Sequence, residues 1–268
     1  MKAKVVLVTG ASSGLGKACA EHLARVGYTV YGTSRHQHPD TKTYRMLAMD
    51  VTQQDSVQRA VDSLMENEGC LDVLVNNAGS GIAGALEDTT IDELRFQFEV
   101  NCFGVMRVCH QVIPIMRAQR SGHIVNIASI AGLIPVPFQG AYSASKSALQ
   151  SLSEVLRMEL RPFGVRVALI EPGDFCTGFT DSRIYTQQSK TNPLYRESCA
   201  RAVRTMEQDE RNGCEPIMVA QLLEKIVEQA DPRLRYVVGP RLQLLGVRLR
   251  KVLPTRLFER LIMKIYQL

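Results

Sequence analysis

The chain has 268 residues, 45% of them hydrophobic and 22% charged, with a formal net charge of +5. That balance belongs to a globular protein with a large core, and it excludes disordered, collagen-like and disulfide-stapled classes. The charge is unevenly placed: residues 241–268 hold seven of the 32 Lys+Arg and one of the 27 Asp+Glu, a net of +6, which leaves −1 for residues 1–240.

A nucleic-acid reader would spread its cations over a surface interleaved with aromatics, so no nucleic-acid partner is expected. Seven cysteines, at 19, 70, 102, 109, 176, 199 and 214, cannot all pair and form no CxxC, which points to a reducing, cytoplasmic compartment. The four-residue apolar run at the N-terminus is too short for a signal peptide. No stretch of about 18 uncharged apolar residues offers a membrane span.

In chain order, short β-branched runs at 4–8, 29–31, 44–48, 71–75, 123–127, 165–170 and 236–238 predict strands. Helix-length patterns at 15–26, 53–67, 91–120, 141–161 and 216–229 fall between them, with Gly27, Gly69, Gly122 and Gly164 as stops. Near-continuous apolar strands alternating with helices need a sheet covered on both faces. The expected fold is therefore α/β, a single-domain Rossmann-type doubly wound parallel sheet with helices on both faces. No internal repeat or linker divides it. The long stretch 173–215 is weakly patterned, as a lid or binding segment would be.

Val5-Val-Leu-Val-Thr-Gly10-Ala-Ser-Ser-Gly14-Leu-Gly16 sets three glycines between the first strand and the first helix. Such a turn lets backbone approach a pyrophosphate, for which the helix N-terminus supplies amide donors. Gly10-Ala-Ser12-Ser-Gly14 also satisfies the GxSxG elbow of hydrolases. That chemistry wants a late histidine, and all five (22, 36, 38, 110 and 123) lie in the first half of the chain. His36 and His38 read as solvated loop residues, and no metal site is expected because no further His or Cys stands at ligand spacing.

Tyr142-Ser-Ala-Ser-Lys146 opens a helix, and the i,i+4 spacing puts an ammonium beside a phenol. A nearby cation lowers a phenol pKa that starts near about 10, which would make Tyr142 a usable general acid or base. Ser129 ends a strand upstream, where its hydroxyl would polarise the carbonyl that Tyr142 protonates. Asn76-Asn-Ala-Gly79 closes the fourth strand, at the edge where open α/β sheets bind ligands.

Together these residues resemble the short-chain dehydrogenase/reductase family, from Lys2 to about Thr177, and look nearest to its hydroxysteroid and retinol dehydrogenase branch. The resemblance implies that Gly10, Ser12, Ser13, Gly14, Leu15 and Gly16 hold the pyrophosphate and adenosine ribose. It implies further that Asp50 and Val51 meet adenine and that Asn77, Ala78 and Gly79 line the dinucleotide. Asn101 joins Ser129, Tyr142 and Lys146 as the catalytic tetrad, keeping a water that relays protons to Lys146, and Tyr142 and Lys146 also contact the cofactor. Pro172-Gly173-Asp-Phe175-Cys-Thr177 matches the family's PGxxxT and would hold the carboxamide.

The implied activity is hydride transfer between a nicotinamide cofactor and a carbonyl or alcohol on a small lipophilic substrate. The implied assembly is a homodimer or homotetramer built on the helices bearing Asn101 and Tyr142. A 3-oxoacyl-carrier-protein reductase is the enzyme alternative, and a dinucleotide-sensing binding module the non-enzyme one. On this resemblance residues 1–240 form the dinucleotide-binding catalytic domain, with the lid at 173–215, and 241–268 an extension.

The second strand ends on Ser34-Arg35 without the acidic residue that would bind a ribose 2′-hydroxyl. An arginine fork suits a 2′-phosphate, so NADP(H) is expected over NAD(H), with Ser13 as a second phosphate contact. The alternative is that Arg35 is a solvated loop charge. In the extension, Arg256, Arg260 and Lys264 recur on one helical face after Pro254-Thr255, opposite Leu257, Phe258, Leu261, Ile262 and Ile265. Leu242, Leu245, Leu249 and Val252 continue an apolar stripe upstream. Two accounts stand: the tail packs on the body or on a partner subunit, or it makes a peripheral contact with an anionic membrane.

Overall fold

A computed structural model describes residues 3–268; Met1 and Lys2, where the family resemblance begins, lie outside the described residues. Its core is a seven-stranded parallel sheet in the order β3-β2-β1-β4-β6-β7-β9. The strands are β1 (Val5–Val8), β2 (Thr29–Ser34), β3 (Arg45–Ala48), β4 (Val73–Asn76), β6 (Gly122–Ile127), β7 (Val165–Pro172) and β9 (Arg235–Val238). β1 and β4 are buried throughout, which fits their unbroken Val/Leu sequences. Alternate side chains feed two cores. Leu7, Leu74 and Ile124 face α2 (Gln54–Glu68), α4 (Gly104–Gln119) and α5 (Gly140–Leu160). Val6, Val8, Val75 and Val125 face α1 (Gly14–Arg25) and α7 (Ile217–Glu228). Chain order reverses direction between β1 and β4, and an open α/β sheet leaves a crevice there, outside its strand ends.

Two departures from the sequence expectation, and one expectation that the tail meets, bear on the site. The helix expected over 91–120 is instead α3 (Ile91–Phe98), a π-turn at Glu99–Phe103 and α4. One inserted residue barely disturbs an apolar period of 3.6, so the pattern does not reveal it. The weakly patterned 173–215 is more than a loop. It holds β8 (Ile184–Tyr185), which pairs with the short β5 (Ile82–Ala83), and the 16-residue α6 (Arg196–Arg211). α6 buries only Cys199, Ala202, Val203 and Met206 and is otherwise largely charged, which leaves too thin an apolar stripe to be read. The tail folds as α8 (Arg241–Val252) and α9 (Thr255–Ile265). Phe258 of α9 is buried against Ile134 and Val247, a small core of its own.

Candidate active site

The strand ends at the β1/β4 crevice are tied together before any ligand arrives. The Thr9 hydroxyl accepts hydrogen bonds from the backbone N–H groups of Asn77 and Ala78, both at 2.9 Å. The Asn77 side chain donates to the carbonyls of Thr9 (3.0 Å) and Gly10 (3.1 Å). Gly10 sits at φ +65° with Ala78 so close that a Cβ would lie 2.9 Å from its Cα, so only glycine makes this turn without strain.

The turn leads into an N-terminus of α1 that lacks any side-chain capping bond at Ser13 and any acidic residue in its first turn. α3 shows the contrast: its N-terminus is closed by a full capping box between Thr90 and Glu93. An uncapped helix start facing a cavity through glycines is the donor set that a pyrophosphate needs, so the residues fit a dinucleotide.

That cavity has a volume of about 620 Å³, and every site residue expected from sequence lines it except Gly16 and Asn101. At one end stand Ser34 and Arg35, and Arg35 has no ion-pair partner among the described residues. His36 and His38 line the same end, so they are cavity residues as well as exposed ones. Asp50 is occupied locally, its carboxylate accepting from the N–H and hydroxyl of Thr52 at 2.9 and 2.8 Å. Thr177 reaches back to within 3.5 Å of where a Gly14 Cβ would stand, so the loop after β7 closes over the glycine turn.

Ser129, Tyr142 and Lys146 meet in the middle. The Ser129 hydroxyl lies near enough to the Tyr142 phenol to lower its pKa and accepts from Ala131 N–H at 3.1 Å. Lys146 Nζ donates to the Ile127 carbonyl at 2.9 Å and lies 5.8 Å from the centre of the Tyr142 ring. Gln150 donates to the Ser129 carbonyl at 3.1 Å, so two side chains of α5 pin the end of β6.

Lys146 does not lower the Tyr142 pKa as the i,i+4 spacing suggests. Burial pushes the phenol up to about 12, Ser129 opposes that, and the carboxylates of Glu210 and Asp174 add to it. Lys146 is itself brought down to about 8 by burial. The phenol's own loss of water is the largest cause of its rise. At neutral pH Tyr142 holds its proton, the form that a proton donor needs.

Asn101, in the π-turn, is fully buried and spends its amide on others. Its Oδ1 accepts from Ser80 N–H at 3.0 Å, and its Nδ2 donates to the Ser80 carbonyl and the Ser145 hydroxyl, each at 3.0 Å. It thereby clamps the loop after β4 to α5. Gly16 lies behind the turn, where a Cβ would meet the Gly10 carbonyl.

The other end of the cavity is built largely by the 173–215 stretch expected to be a lid or binding segment, whose individual residues sequence reasoning did not single out. Phe179 stacks beside Tyr142, centroids 5.8 Å apart, and Val136, Ile184 and Met206 extend the apolar wall. Asp174 and Glu210 bring carboxyl groups into it. Burial holds the Asp174 pKa up to about 6, against the pull of a hydrogen bond from Gln243. Glu210 is engaged by the Thr180 hydroxyl at 2.6 Å and by the Arg183 guanidinium, whose side chain is fully buried. Gln243 of α8 also accepts from Asp174 N–H at 2.9 Å, and Tyr266, just past α9, completes the wall. A separate cavity of about 720 Å³ between Tyr185 and α6, lined by Arg196, Arg201 and Arg204, reaches none of the catalytic candidates.

The family profile described as short chain dehydrogenase matches residues 4–188, more than half of the chain. The chain belongs to the short-chain dehydrogenase family. It is an oxidoreductase with a single Rossmann-like domain, and its relatives use nicotinamide dinucleotides. It is 44% identical over 259 residues to a 3-ketodihydrosphingosine reductase of Bacteroides thetaiotaomicron, covering 97% of this chain and 96% of that one. It is 32% identical over 279 residues to an NADPH-dependent 3-dehydrocapnine reductase of Ornithobacterium rhinotracheale, covering 97% and 96%. Among solved structures, a short-chain dehydrogenase/reductase from Burkholderia phymatum in complex with NAD superposes with a TM-score of 0.81 at 31% identity, over 93% of each chain. Among the described residues no helix is long and apolar enough to cross a membrane.

Proposed function

We propose that the chain reduces the keto group of a long-chain, amine-bearing lipid of the 3-ketodihydrosphingosine class, with NADPH as reductant. The observation that carries this reading is the make-up of the substrate end of the cavity. Phe179, Val136, Ile184, Met206 and Tyr266 offer an apolar wall, and Asp174 and Glu210 set carboxyl groups within it. An alkyl chain suits the first set, and an ammonium suits Asp174, the carboxyl that, unlike Glu210, has no arginine ion pair among the described residues. The likeness to the Bacteroides reductase supports it along nearly the whole chain. The Ornithobacterium relative, whose name carries NADPH, supports the cofactor, as does Arg35 beside Ser34 with no acid to repel a 2′-phosphate.

When bound, the nicotinamide ring supplies the hydride to the carbonyl carbon. Tyr142 gives its phenolic proton to the oxygen as negative charge develops there, and the Ser129 hydroxyl donates a hydrogen bond to the same oxygen. Lys146, with a pKa near 8, exchanges protons readily around neutrality and returns one to the phenolate. It also binds the ribose. Asn101 holds the Ser80 loop and α5 in register, and the water assigned to it by family resemblance belongs to the same relay. Gly10 to Leu15 hold the pyrophosphate, Asp50 and Val51 the adenine, Asn77 to Gly79 the ribose side, and Pro172, Gly173, Phe175 and Thr177 the carboxamide.

The enzyme works in the cytoplasm, where exposed Cys176 stays reduced. It assembles as a homodimer or homotetramer through the helices carrying Asn101 and Tyr142, where Phe96, Phe103, Val155 and Met158 are exposed. The test is an assay of 3-ketodihydrosphingosine, its desamino analogue and a steroid ketone, each with NADPH and NADH. The expected order is 3-ketodihydrosphingosine first by at least ~10-fold in kcat/KM, as for one charge-assisted contact, and NADPH over NADH by a similar factor. Equal use of the steroid overturns the substrate; equal KM for the two cofactors overturns NADPH.

A further inference from the structure

The two tail helices use only part of their apolar surface for packing. On α9, Phe258 and Ile262 turn inward onto Ile134 and Val247, while Leu257, Leu261 and Ile265 on the adjoining arc remain exposed. On α8, Val247 is buried, yet Leu242 is 82% and Val252 75% exposed, and Leu245 lies on the same stripe. At 100° per residue, Arg260 and Lys264 border the first stripe and Arg241 and Arg248 the second. An apolar strip edged by cations is the pattern of a helix lying in a lipid headgroup region.

We infer that this surface, α8 with α9, docks the enzyme on an anionic lipid bilayer and places the mouth of the catalytic cavity against it. Charge selects the occupant. A second copy meeting the first through this face would set one +6 segment against another, whereas an anionic surface complements it and leaves the near-neutral body in water. Position supplies the purpose. Gln243 of α8 and Tyr266 just beyond α9 line the cavity itself, so the docking helices are also its wall. A long-chain ketone can therefore pass from the lipid to Tyr142 without crossing water. This last step rests on the proposed lipid substrate; the docking does not.

The test measures co-sedimentation of the full chain with vesicles of phosphatidylcholine alone and with added phosphatidylserine, at low and high salt. Two variants accompany it, L242S/V252S/L257S/L261S and R248Q/R260Q/K264Q, all at exposed positions outside the cavity. Binding is expected to phosphatidylserine vesicles only, to fall at least ~10-fold at high salt, and to be lost in both variants, since the apolar stripe and the cations beside the anionic surface both contribute. Both variants should keep wild-type turnover of a short-chain, water-soluble ketone. Salt-indifferent binding, or none, overturns the inference. So does a drop in molecular mass for the leucine variant in sedimentation equilibrium, which would assign the face to a second copy. If vesicles bind but 3-ketodihydrosphingosine is not turned over, the docking stands and the substrate reading fails.

Discussion

At the dinucleotide end much of the cavity wall comes from short contiguous segments at the ends of β1, β4 and β7: Gly10 to Leu15, Asn77 to Gly79 and Pro172 to Thr177, glycine-rich at the first. At the substrate end its residues are drawn from places far apart in the chain: Val136, Phe179, Met206, Glu210, Gln243 and Tyr266. The first construction suits a ligand that does not vary. Amide donors and a helix terminus need glycine at a few positions and little else. The second can be recast by changing one helix or the tail, and the buried charges there, Asp174, Glu210 and Arg183, are what such specificity costs.

The sharpest break in the comparison lies at its boundary. Tyr142→Phe should lower kcat by at least ~10²-fold, the low end for losing a general acid, while the dissociation constant for NADPH, read by fluorescence titration, changes little. Near-normal turnover would remove Tyr142 from the mechanism. At the dinucleotide end, Arg35→Ala should raise KM for NADPH about tenfold and leave KM for NADH alone, since only the 2′-phosphate is lost as a partner.

At the substrate end, Asp174→Asn should raise KM for an amine-bearing ketone several-fold and do nothing for its desamino analogue. In wild type the same KM should climb as pH falls through about 6, where Asp174 takes up a proton, and the variant should lack that limb. A smaller effect concerns stability. Lys146 has a pKa near 8 in the fold and near 10.5 as a free side chain, so between these values the unfolded chain binds more protons and stability rises with pH. Removing that cation in Lys146→Met should therefore raise Tm by a few degrees at pH 7, an effect of roughly 1–3 kcal/mol, while activity collapses.

The same division explains what was legible in sequence. Ser129, Tyr142 and Lys146 stand out because a strand end and one helical turn fix their spacing locally, and the apolar strands announce the sheet. Met206 and Glu210 were hidden in α6, whose four small or flexible core residues give no clear stripe. Gln243 and Tyr266 come to the cavity because the tail packs on Ile134 through Val247 and Phe258 and because Gln243 bonds Asp174, contacts between distant segments that no local pattern encodes. The direction of the Tyr142 pKa was misjudged for a related reason. Spacing shows which charge is near, but burial, the largest cause of the shift here, is a property of the whole fold.

The thiols give the molecule a built-in probe. Burial pushes Cys19 and Cys109 up to about 12 and Cys102 up to about 11, so at neutral pH they are almost wholly protonated and slow to alkylate. Cys176, by contrast, is exposed, and it lies between Phe175 and Thr177 in the loop that closes over the glycine turn. A maleimide dye should therefore mark that loop first, and its labelling rate would report on the loop's closure without any engineered cysteine.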